Sequence, residues 1–388
     1  MERKKLGDFC KLRQGFQVPL PNQETELKDG YVRFIRIVDY TQETNDIRYV
    51  KDSEKFYHVK PDDVVMVRYG AAGEVGHGIS GVIANNMFLI DPLININKDY
   101  LYYYLAQNKI RLKLLASSTS TTMPALNFKI VNDLQVPLYE RDKQDEIVAI
   151  LDKLSSVIEK RKNEITALDE LIKARFVELF GETETNPCKW PVAKLSEFCD
   201  LQNGYAFKSQ DYLDNSSVLN CRMSNIRPDG GFDAEYHPKY LPDTFWEQYR
   251  EYRLVDGDVI IAMTDMASDP KILGVPTIVR TNGKKFLLNQ RVGKLTFYDN
   301  KAINNVYLMF VLSQKHIRQQ LVKSAGGSTQ INVGKPAVLG VEFLVPPMEL
   351  QKQFAAFVEQ TNKSKVVVQK ALDEAHLLFD SLMQEYFE

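Results

Sequence analysis

Few residues in this 388-residue sequence have the type and spacing that catalysis or ligand binding requires. The clearest candidate is the glycine series Gly70, Gly73 and Gly76, because glycine-rich loops bring backbone N–H groups close to phosphates. No Lys-Ser/Thr pair follows the series, and its spacing matches neither a P-loop nor a dinucleotide-binding loop. We therefore expect a surface turn between two strands at this position rather than a nucleotide site.

Histidine and cysteine do not indicate a metal centre or a catalytic centre. The histidines show no His-x-x-x-His spacing and no accompanying acidic cluster; they are His58, His77, His237, His316 and His376. The cysteines lack C-x-x-C spacing, which argues against a zinc site and against a disulfide framework. We expect all of them to be reduced and most to be buried; they are Cys10, Cys188, Cys199 and Cys221.

Two short stretches resemble the Asn-Pro-Pro-Tyr/Phe motif of adenine methyltransferases only superficially. Asn186-Pro187-Cys188-Lys189 and Asn85-Asn86-Met87-Phe88 both lack the second proline, and no glycine-rich cofactor motif accompanies either stretch. The sequence therefore predicts no catalytic residues, no metal ligands and no bound cofactor in this chain.

Composition and charge are those of a soluble globular protein, with 44% hydrophobic and 26% charged residues. No apolar run approaches 18 residues and the N-terminus is charged, so we expect a cytoplasmic protein with no membrane contact. The net charge of −2 is unevenly distributed. Residues 1–139 hold 18 Lys/Arg against 16 Asp/Glu and residues 183–347 hold 19 against 17, whereas 140–182 and 348–388 are each acidic.

This alternation accompanies an internal duplication. Three pairs of segments correspond in order: 6–15 with 195–204, 59–66 with 254–261, and 100–114 with 307–321. The first pair shares Leu-x-x-Phe-Cys-x-Leu-x-x-Gly, the second an acidic turn followed by a buried strand, and the third an amphipathic helix. Residues 16–58 and 205–253 share little, so the two copies keep a framework and differ in their inserts.

Each copy ends in a long helix with a coiled-coil seam. Apolar residues recur at alternating spacings of four and three; the seam residues are Ile147, Leu151, Leu154, Ile158, Ile165, Leu168 and Ile172 in one helix, and Phe354, Val358, Val368, Leu372, Phe379 and Leu382 in the other. Arg161, Thr361 and Lys365 interrupt the seam. One interpretation is that their side chains extend along the coil surface so that the polar groups reach water. The other is that polar residues in the seam fix the register and the antiparallel orientation of the helices.

The duplication determines how the helices must pair. If each helix leaves its own domain in the same way, the second must run back along the first, so we expect antiparallel pairing and a pseudo-two-fold repeat. The predicted fold class is α+β, with two α/β domains separated by an antiparallel two-helix coiled coil. The predicted segments are a first domain (1–139), a central helix (140–182), a second domain (183–347) and a C-terminal helix (348–388).

This arrangement resembles the specificity subunit of type I restriction–modification enzymes over essentially the whole chain. The resemblance is carried by Trp190-Pro191-x-x-Lys194-Leu195, the Gly-Asp-Val-Ile-Ile phrase at 257–261 and Asn289-Gln290-Arg291-Val292, and by Pro137 or Pro346 leading into Gln144 or Gln351. The first copy departs from the pattern, since it lacks the opening tryptophan.

The resemblance implies two target-recognition domains that bind a bipartite, asymmetric double-stranded DNA target. It also implies two methyltransferase subunits, which carry S-adenosylmethionine, and two restriction subunits, which use ATP and Mg²⁺. In this setting the glycine series at 70–76 could also approach a DNA phosphate through its backbone.

Candidate DNA contacts are polar, basic and aromatic residues in the divergent loops, because phosphate contacts position a domain and groove contacts specify sequence. The candidates are Arg13, Gln14, Gln17, Arg36, Arg68, Tyr69, Thr121, Thr122 and Lys129 in the first domain, and Gln202, Tyr205, Lys208, Arg222, Thr264, Asp265, Arg291, Ser328, Thr329 and Gln330 in the second. For each of them the alternative is a solvated polar residue or a local cap.

Two other functions fit the sequence less well. A two-headed protein-binding spacer would share the architecture but would show no salt-dependent binding to duplex DNA. A self-contained methyltransferase would bind S-adenosylmethionine without partners, which the missing motifs argue against.

Overall fold

A computed structural model describes residues 2–42, 44–116, 125–298 and 303–388. The chain folds into two compact units: unit 1 contains residues 1–163 and 368–388, and unit 2 contains residues 164–367. Each unit therefore combines one globular domain with part of both long helices.

The elements of unit 1 follow the chain up to the first long helix, which continues into unit 2. The strands are β1 (Glu2–Lys5), β2 (Cys10–Gln14), β3 (Tyr31–Ile35), β4 (Arg48–Lys51), β5 (Val64–Val67), β6 (Val75–Gly76), β7 (Val82–Ile83), β8 (Met87–Pro92) and β9 (Gln135–Leu138). The helices are α1 (Leu6–Phe9), α2 (Val38–Thr41), α3 (Lys98–Leu105), α4 (Asn108–Ala116), α5 (Phe128–Asn132) and α6 (Arg141–Phe180).

The domain of unit 1 is built on two main sheets. One sheet has the order β2-β8-β5-β6 with antiparallel neighbours, and the other has the order β4-β3-β7, in which β3 and β7 are parallel. All four residues of β5 are apolar and buried, as expected for a strand enclosed on both faces. Strand β1 pairs with β9 and so joins the start of the domain to the residues that precede α6.

Unit 2 contains the remaining elements except the end of the last helix. Its strands are β10 (Val192–Lys194), β11 (Cys199–Asn203), β12 (Val218–Cys221), β13 (Tyr240–Leu241), β14 (Arg253–Leu254), β15 (Val259–Ala262), β16 (Thr264–Met266), β17 (Pro276–Ile278), β18 (Lys285–Leu288), β19 (Val292–Phe297), β20 (Gln330–Asn332) and β21 (Glu342–Leu344). Its helices are α7 (Phe245–Gln248), α8 (Asn305–Leu312), α9 (Lys315–Ser324), α10 (Lys335–Leu339) and α11 (Met348–Phe387).

The sheets of unit 2 repeat those of unit 1. The order β11-β19-β15-β17 corresponds to β2-β8-β5-β6, and the parallel pair β12-β18 corresponds to β3-β7. Strands β10 and β21 pair as β1 and β9 do. The pairing of β14 with β18 and the ribbon of β16 with β20 correspond to single antiparallel bridges in unit 1, Val59 with Gly81 and Tyr69 with Ala125. The internal repeat predicted from sequence is confirmed.

Both long helices begin with the same clamp onto their domain. The Gln144 side chain accepts a hydrogen bond from the backbone N–H of Asn97 (2.9 Å) and donates one to the Tyr139 carbonyl (2.8 Å). Gln351 makes the equivalent bonds to Asn304 N (2.9 Å) and the Pro346 carbonyl (2.8 Å). Because both glutamines are buried, these bonds fix where each helix leaves its domain.

Each unit also completes its core with the far end of the other long helix. In unit 1 the ring of Phe387 lies 5.1 Å from that of Tyr100 and 5.9 Å from that of Tyr104. In unit 2 Phe180 occupies the corresponding position, 4.9 Å from Tyr307 and 5.7 Å from Phe354. Within each unit the beginning of one helix therefore packs beside the end of the other, which is antiparallel pairing.

Every predicted seam residue is buried or half-buried, and Phe176, Phe180, Met383 and Phe387 extend the apolar surface at the helix ends. The interrupting residues behave differently from one another. In unit 2 the Lys365 ammonium donates across the pair to Asp169 (2.6 Å), which favours the register interpretation for this residue. The Thr361 hydroxyl instead donates to the Phe357 carbonyl of its own helix (2.9 Å).

Length and hydropathy rule out a membrane span for every helix in the described ranges. The cysteines are unpaired, and Cys10, Cys199 and Cys221 are buried whereas Cys188 is exposed. Burial raises the pKa of each of the three buried thiols to about 12, so they stay protonated at neutral pH.

Candidate nucleic-acid interface

In unit 1 five segments meet at one edge of the sheets, and we call this edge the loop face of unit 1 (residues 14–16, 36, 68–69, 84–86 and 125–126). Main-chain hydrogen bonds join them. The Gly15 N–H donates to the Met87 carbonyl (2.9 Å), and the Ala84 N–H donates to the Ile35 carbonyl (2.9 Å). Arg68 is joined to both neighbouring segments, because its N–H donates to the Asn86 carbonyl (2.8 Å) and its carbonyl accepts from Leu126 (2.8 Å).

Unit 2 has an equivalent loop face, formed by residues 203–205, 222, 263–266, 289–291 and 326–332. The Asn289 N–H donates to the Cys221 carbonyl (3.0 Å), and the Met263 N–H donates to the Arg291 carbonyl (3.0 Å). The Val333 N–H donates to the Met263 carbonyl (2.9 Å), and the pairing of β16 with β20 extends this connection. The same framework contacts therefore bring corresponding variable segments together in both units.

One glycine in each unit makes this arrangement possible. A Cβ atom on Gly15 would lie 2.2 Å from the Ala84 carbonyl oxygen, and one on Gly204 would lie 2.2 Å from that of Asn289. Both distances are far inside van der Waals contact, so only glycine lets the end of the strand pass this close to the opposing turn. This explains why the repeated sequence pattern ends in glycine.

The candidate side chains of unit 1 are largely engaged within the domain. Arg68 donates to the Gln14 amide oxygen (2.8 Å) and lies over the Phe128 ring, while the Gln14 amide donates to the Asn85 carbonyl. Arg13 forms an ion pair with Asp91 (2.6 Å). These residues hold the loop face in place, and their polar groups are already bonded.

Arg36 lies on the loop face but its charge is balanced by aspartates. Its guanidinium is 3.1 Å from a carboxylate oxygen of Asp46 and 3.5 Å from one of Asp39. Hydrogen bonds from Arg48 and Arg36 hold the pKa of Asp46 below its ordinary value, so this carboxylate stays charged at neutral pH. Among the other unit 1 candidates, Gln17 and Lys129 are exposed and Tyr69 is half-buried. Thr121 and Thr122 lie outside the described residues.

Two candidates of unit 2, Thr264 and Asp265, are buried rather than exposed. Thr264 is 2% exposed and its hydroxyl donates to the Asn332 side chain (2.6 Å). Asp265 is 5% exposed, and its carboxylate accepts from the backbone N–H groups of Met266 (2.8 Å) and Leu273 (2.8 Å). Both side chains are enclosed because they hold the 264–273 loop against β20, so neither is exposed on the surface as a DNA contact would require.

The other unit 2 candidates divide between the loop face and its surroundings. Tyr205, Arg222, Arg291, Ser328, Thr329 and Gln330 lie on the loop face. Arg222 donates to the His237 carbonyl (2.9 Å), whereas Arg291, Ser328 and Thr329 are exposed. Gln202 donates to the Glu251 carbonyl (2.8 Å), and Lys208 lies in the exposed segment after Phe207. Backbone contacts among the described residues place neither of them on the loop face.

Sequence reasoning missed exposed residues of the loop face, among them Met266 and Gln290. Both lie at short, fixed distances from repeated anchors, since Met266 follows the buried strand β15 and Gln290 follows β18. Counting from those anchors in both copies could have found them.

The glycine series at 70–76 forms a turn between two strands. Gly70 and Gly73 have φ of +97° and +84° in the turn between β5 and β6, and the Gly73 N–H donates to the Val67 carbonyl (2.9 Å). The turn interpretation therefore fits, and the Gly73 N–H is not available to a phosphate. Across the described residues no group of three His, Cys, Asp or Glu side chains is arranged to hold a metal ion.

Comparison with known proteins agrees with this architecture. The family described as "Type I restriction modification DNA specificity domain" matches residues 1–167 and 187–374, once for each copy of the repeat. The MjaVIII specificity subunit of a type I restriction enzyme from Methanocaldococcus jannaschii is 26% identical over 392 residues, which cover 95% of this chain and 89% of the relative.

Solved structures show the same fold. The type I restriction–modification S subunit from M. genitalium aligns with a TM-score of 0.58 and 15% identity, covering all of this chain and 96% of that chain. A chain from a study of complex assembly and conformational transition of the type I R-M system aligns with a TM-score of 0.56 and 15% identity, covering all of this chain and 97% of that chain. With both copies of the repeat matched, the chain belongs to the type I restriction–modification DNA specificity family and is a non-catalytic specificity subunit with two recognition domains.

Proposed function

We propose that this chain selects a bipartite, asymmetric site on double-stranded DNA, with the loop face of each unit reading one half-site. The observation that carries the proposal is the repetition of one backbone framework with different side chains on its surface. Gly15 and Gly204 meet equivalent turns, yet the turn residues are Asn85 and Asn86 in unit 1 and Gln290 and Arg291 in unit 2. Equivalent faces with different donors and acceptors would read different bases.

Positive charges on the loop face of unit 2 support the proposal that the chain contacts DNA phosphates in addition to reading bases. Arg222 and Arg291 lie on the loop face of unit 2, and the described contacts pair neither guanidinium with a carboxylate. Arginines of this kind position a protein on the duplex through phosphate contacts. Binding should therefore weaken as salt concentration rises.

The coil is proposed to set the separation of the half-sites, because α6 and α11 each have residues in both units. Two recognition elements that bind one face of a duplex are separated by about one helical turn, or roughly 10 bp. The unread spacer of the target would reflect that separation.

Catalysis is proposed to come from partners: two methyltransferase subunits that carry S-adenosylmethionine, and two restriction subunits that use ATP and Mg²⁺. Exposed apolar residues on α11 support a docking role for the coil. In unit 1 the side chains of Leu377 and Leu378 are 71% and 53% exposed, and in unit 2 those of Val366 and Val367 are 70% and 69% exposed. Adjacent exposed aliphatic residues on a helix are typical of a surface that a partner covers.

The cytoplasmic location of the protein stays a prediction.

The proposed function is tested by expressing the chain with its methyltransferase partners and mapping modified adenines in the host DNA. We expect one asymmetric sequence with two defined parts and an undefined spacer. Modification of a single continuous sequence, or binding to duplex DNA with no sequence preference, would contradict the proposal.

Docking can be tested separately on unit 1. Changing Leu377 and Leu378 together to glutamate should weaken assembly with the methyltransferase at least about 10-fold, because two charges would enter an apolar contact. Analytical ultracentrifugation of the mixed proteins measures this effect. The matched control changes Lys370 and Glu374, which lie on the same helix and are also exposed, to glutamine. If the leucine variant assembles as the original does, this surface is not a docking site.

A further inference from the structure

In both units the residue after the loop-face glycine is aromatic and held by the opposing turn. The Phe16 N–H donates to the Ile83 carbonyl (2.9 Å), and the Tyr205 N–H donates to the Leu288 carbonyl (2.9 Å). The Tyr205 carbonyl also accepts from the Gln290 N–H (3.0 Å). The main chain therefore fixes the backbone position from which each aromatic side chain extends, whatever the surrounding side chains are.

The neighbours of this aromatic residue come from the divergent inserts. In unit 1 the Phe16 ring lies 4.7 Å from Phe56 and 4.8 Å from Tyr57. In unit 2 the Tyr205 ring lies 4.4 Å from Tyr249 and 5.5 Å from Tyr252. Packed aromatic side chains lose little conformational entropy on binding and are therefore effective anchors in recognition surfaces.

Unit 2 adds a directed chain of hydrogen bonds to this cluster. The Gln248 side-chain amide donates to the Tyr249 hydroxyl oxygen (3.3 Å), and the Tyr249 hydroxyl is oriented to donate to that of Tyr205 (3.5 Å). The bond with Tyr205, followed by desolvation, raises the pKa of Tyr249 to about 12, so its proton is retained at neutral pH. Each hydroxyl has one proton to donate, and that of Tyr249 is used within the chain.

The proton of the Tyr205 hydroxyl is therefore left to donate. Within the described part of the chain no hydrogen bond uses it, and the side chain is half-buried rather than enclosed. Phe16 occupies the corresponding position of unit 1 and has no hydroxyl, so this donor belongs to unit 2 alone.

We infer that the Tyr205 hydroxyl donates a hydrogen bond to an acceptor on a base edge, and that Tyr205 determines specificity at one base pair of the half-site read by unit 2. This rests on the proposed DNA-reading function. A base edge suits the group better than a phosphate, because a neutral donor on a ring held by packing can distinguish base pairs by acceptors such as N7, O6 and O4. Arg222 and Arg291 on the same face already supply charges for phosphates.

The test uses the full chain in complex with its methyltransferase partners and measures binding to duplexes altered at each position of both half-sites. Tyr205→Phe removes only the hydroxyl, and Phe16 shows that the framework accepts phenylalanine here. Discrimination at one base pair of the second half-site should fall about 10-fold, while all other positions stay unchanged. Tyr249→Phe should cause a smaller loss at the same base pair, because it removes the bond that orients the Tyr205 hydroxyl. Tyr252→Phe, in the same cluster but outside the hydrogen-bond chain, is the matched control and should change nothing.

A modified base provides a readout that does not depend on the variant protein. A duplex lacking the acceptor atom at the affected position should bind the original complex about 10-fold more weakly, with no further loss for Tyr205→Phe. Equal weakening on all sequences would assign the hydroxyl to a phosphate and overturn the inference, as would unchanged discrimination. An original complex without any sequence preference would instead overturn the proposed function itself, and the inference with it.

Discussion

Replacing Phe387 by alanine is expected to destabilise unit 1 by about 3–5 kcal/mol, the usual range for removing a fully buried phenylalanine ring. The ring is 1% exposed and packs between Tyr100 and Tyr104 in the core of the first domain. The Arg3 guanidinium also donates to the Phe387 carbonyl (3.1 Å), so this end of α11 is attached through both its side chain and its main chain. Hydrogen exchange should show faster opening of β5 and β8 in the variant.

The repeat supplies the control for this prediction. Phe180→Ala should destabilise unit 2 by a similar amount and leave β5 and β8 protected, because Phe180 is 0% exposed and packs against Tyr307 and Phe354. Leu378→Ala, at an exposed position of the same helix as Phe387, should change stability by less than about 0.5 kcal/mol. Equal loss of protection in both units for Phe387→Ala would contradict the assignment of the α11 end to the core of unit 1.

Deleting one heptad from both long helices should change the spacer of the DNA target and leave the half-sites unchanged. Residues 157–163 and 370–376 are suitable, since they lie within unit 1 next to Ser155 and Phe379, which line one cavity. Seven residues of helix span about 10 Å, which corresponds to roughly 3 bp of duplex at 3.4 Å per step. Methylation mapping of the host DNA would show the two half-sites closer together by that amount.

Matched deletion is essential to the test. Removing 157–163 alone leaves the partner helix one heptad too long, so we expect loss of assembly instead of a new spacer. The paired deletion keeps the seam in phase because it removes a whole heptad from each side. An active paired variant that still modifies sites with the original spacer would show that the coil does not determine spacing.

Sequence was sufficient for the features that depend on periodicity and repetition. The seam spacing predicted both long helices, and Gly181, with φ of +74°, follows the last residue of α6 as a helix-ending glycine does. Repeated anchors such as Gly15 and Gly204 predicted two copies of one domain. Periodicity and helix-ending residues are local signals, and the repeat is found by comparing the sequence with itself. Neither kind of signal requires knowledge of contacts between residues distant in sequence.

The individual site residues could not be predicted in the same way, because their exposure depends on partners far away in sequence. Asp265 looked like a loop residue, but its carboxylate binds backbone N–H groups as distant as Leu273. Arg68 and Gln14 are 54 positions apart and bind each other. The seam spacing did not indicate that Phe387, at the end of α11, belongs to a domain core.

The main-chain bonds of the two loop faces have a consequence for how easily each can acquire a new target. In unit 2 the segments at 263, 291 and 333 are tied by N–H and carbonyl groups, which every residue except proline supplies equally. Exchanging Arg291, Ser328 or Thr329 would thus alter the recognition surface at little cost in folding. In unit 1 the side chains of Gln14 and Arg68 are themselves part of the connection, so the same kind of exchange there would loosen the face it modifies. Selected variants with altered half-sites should consequently be recovered more often with changes in the second domain than in the first.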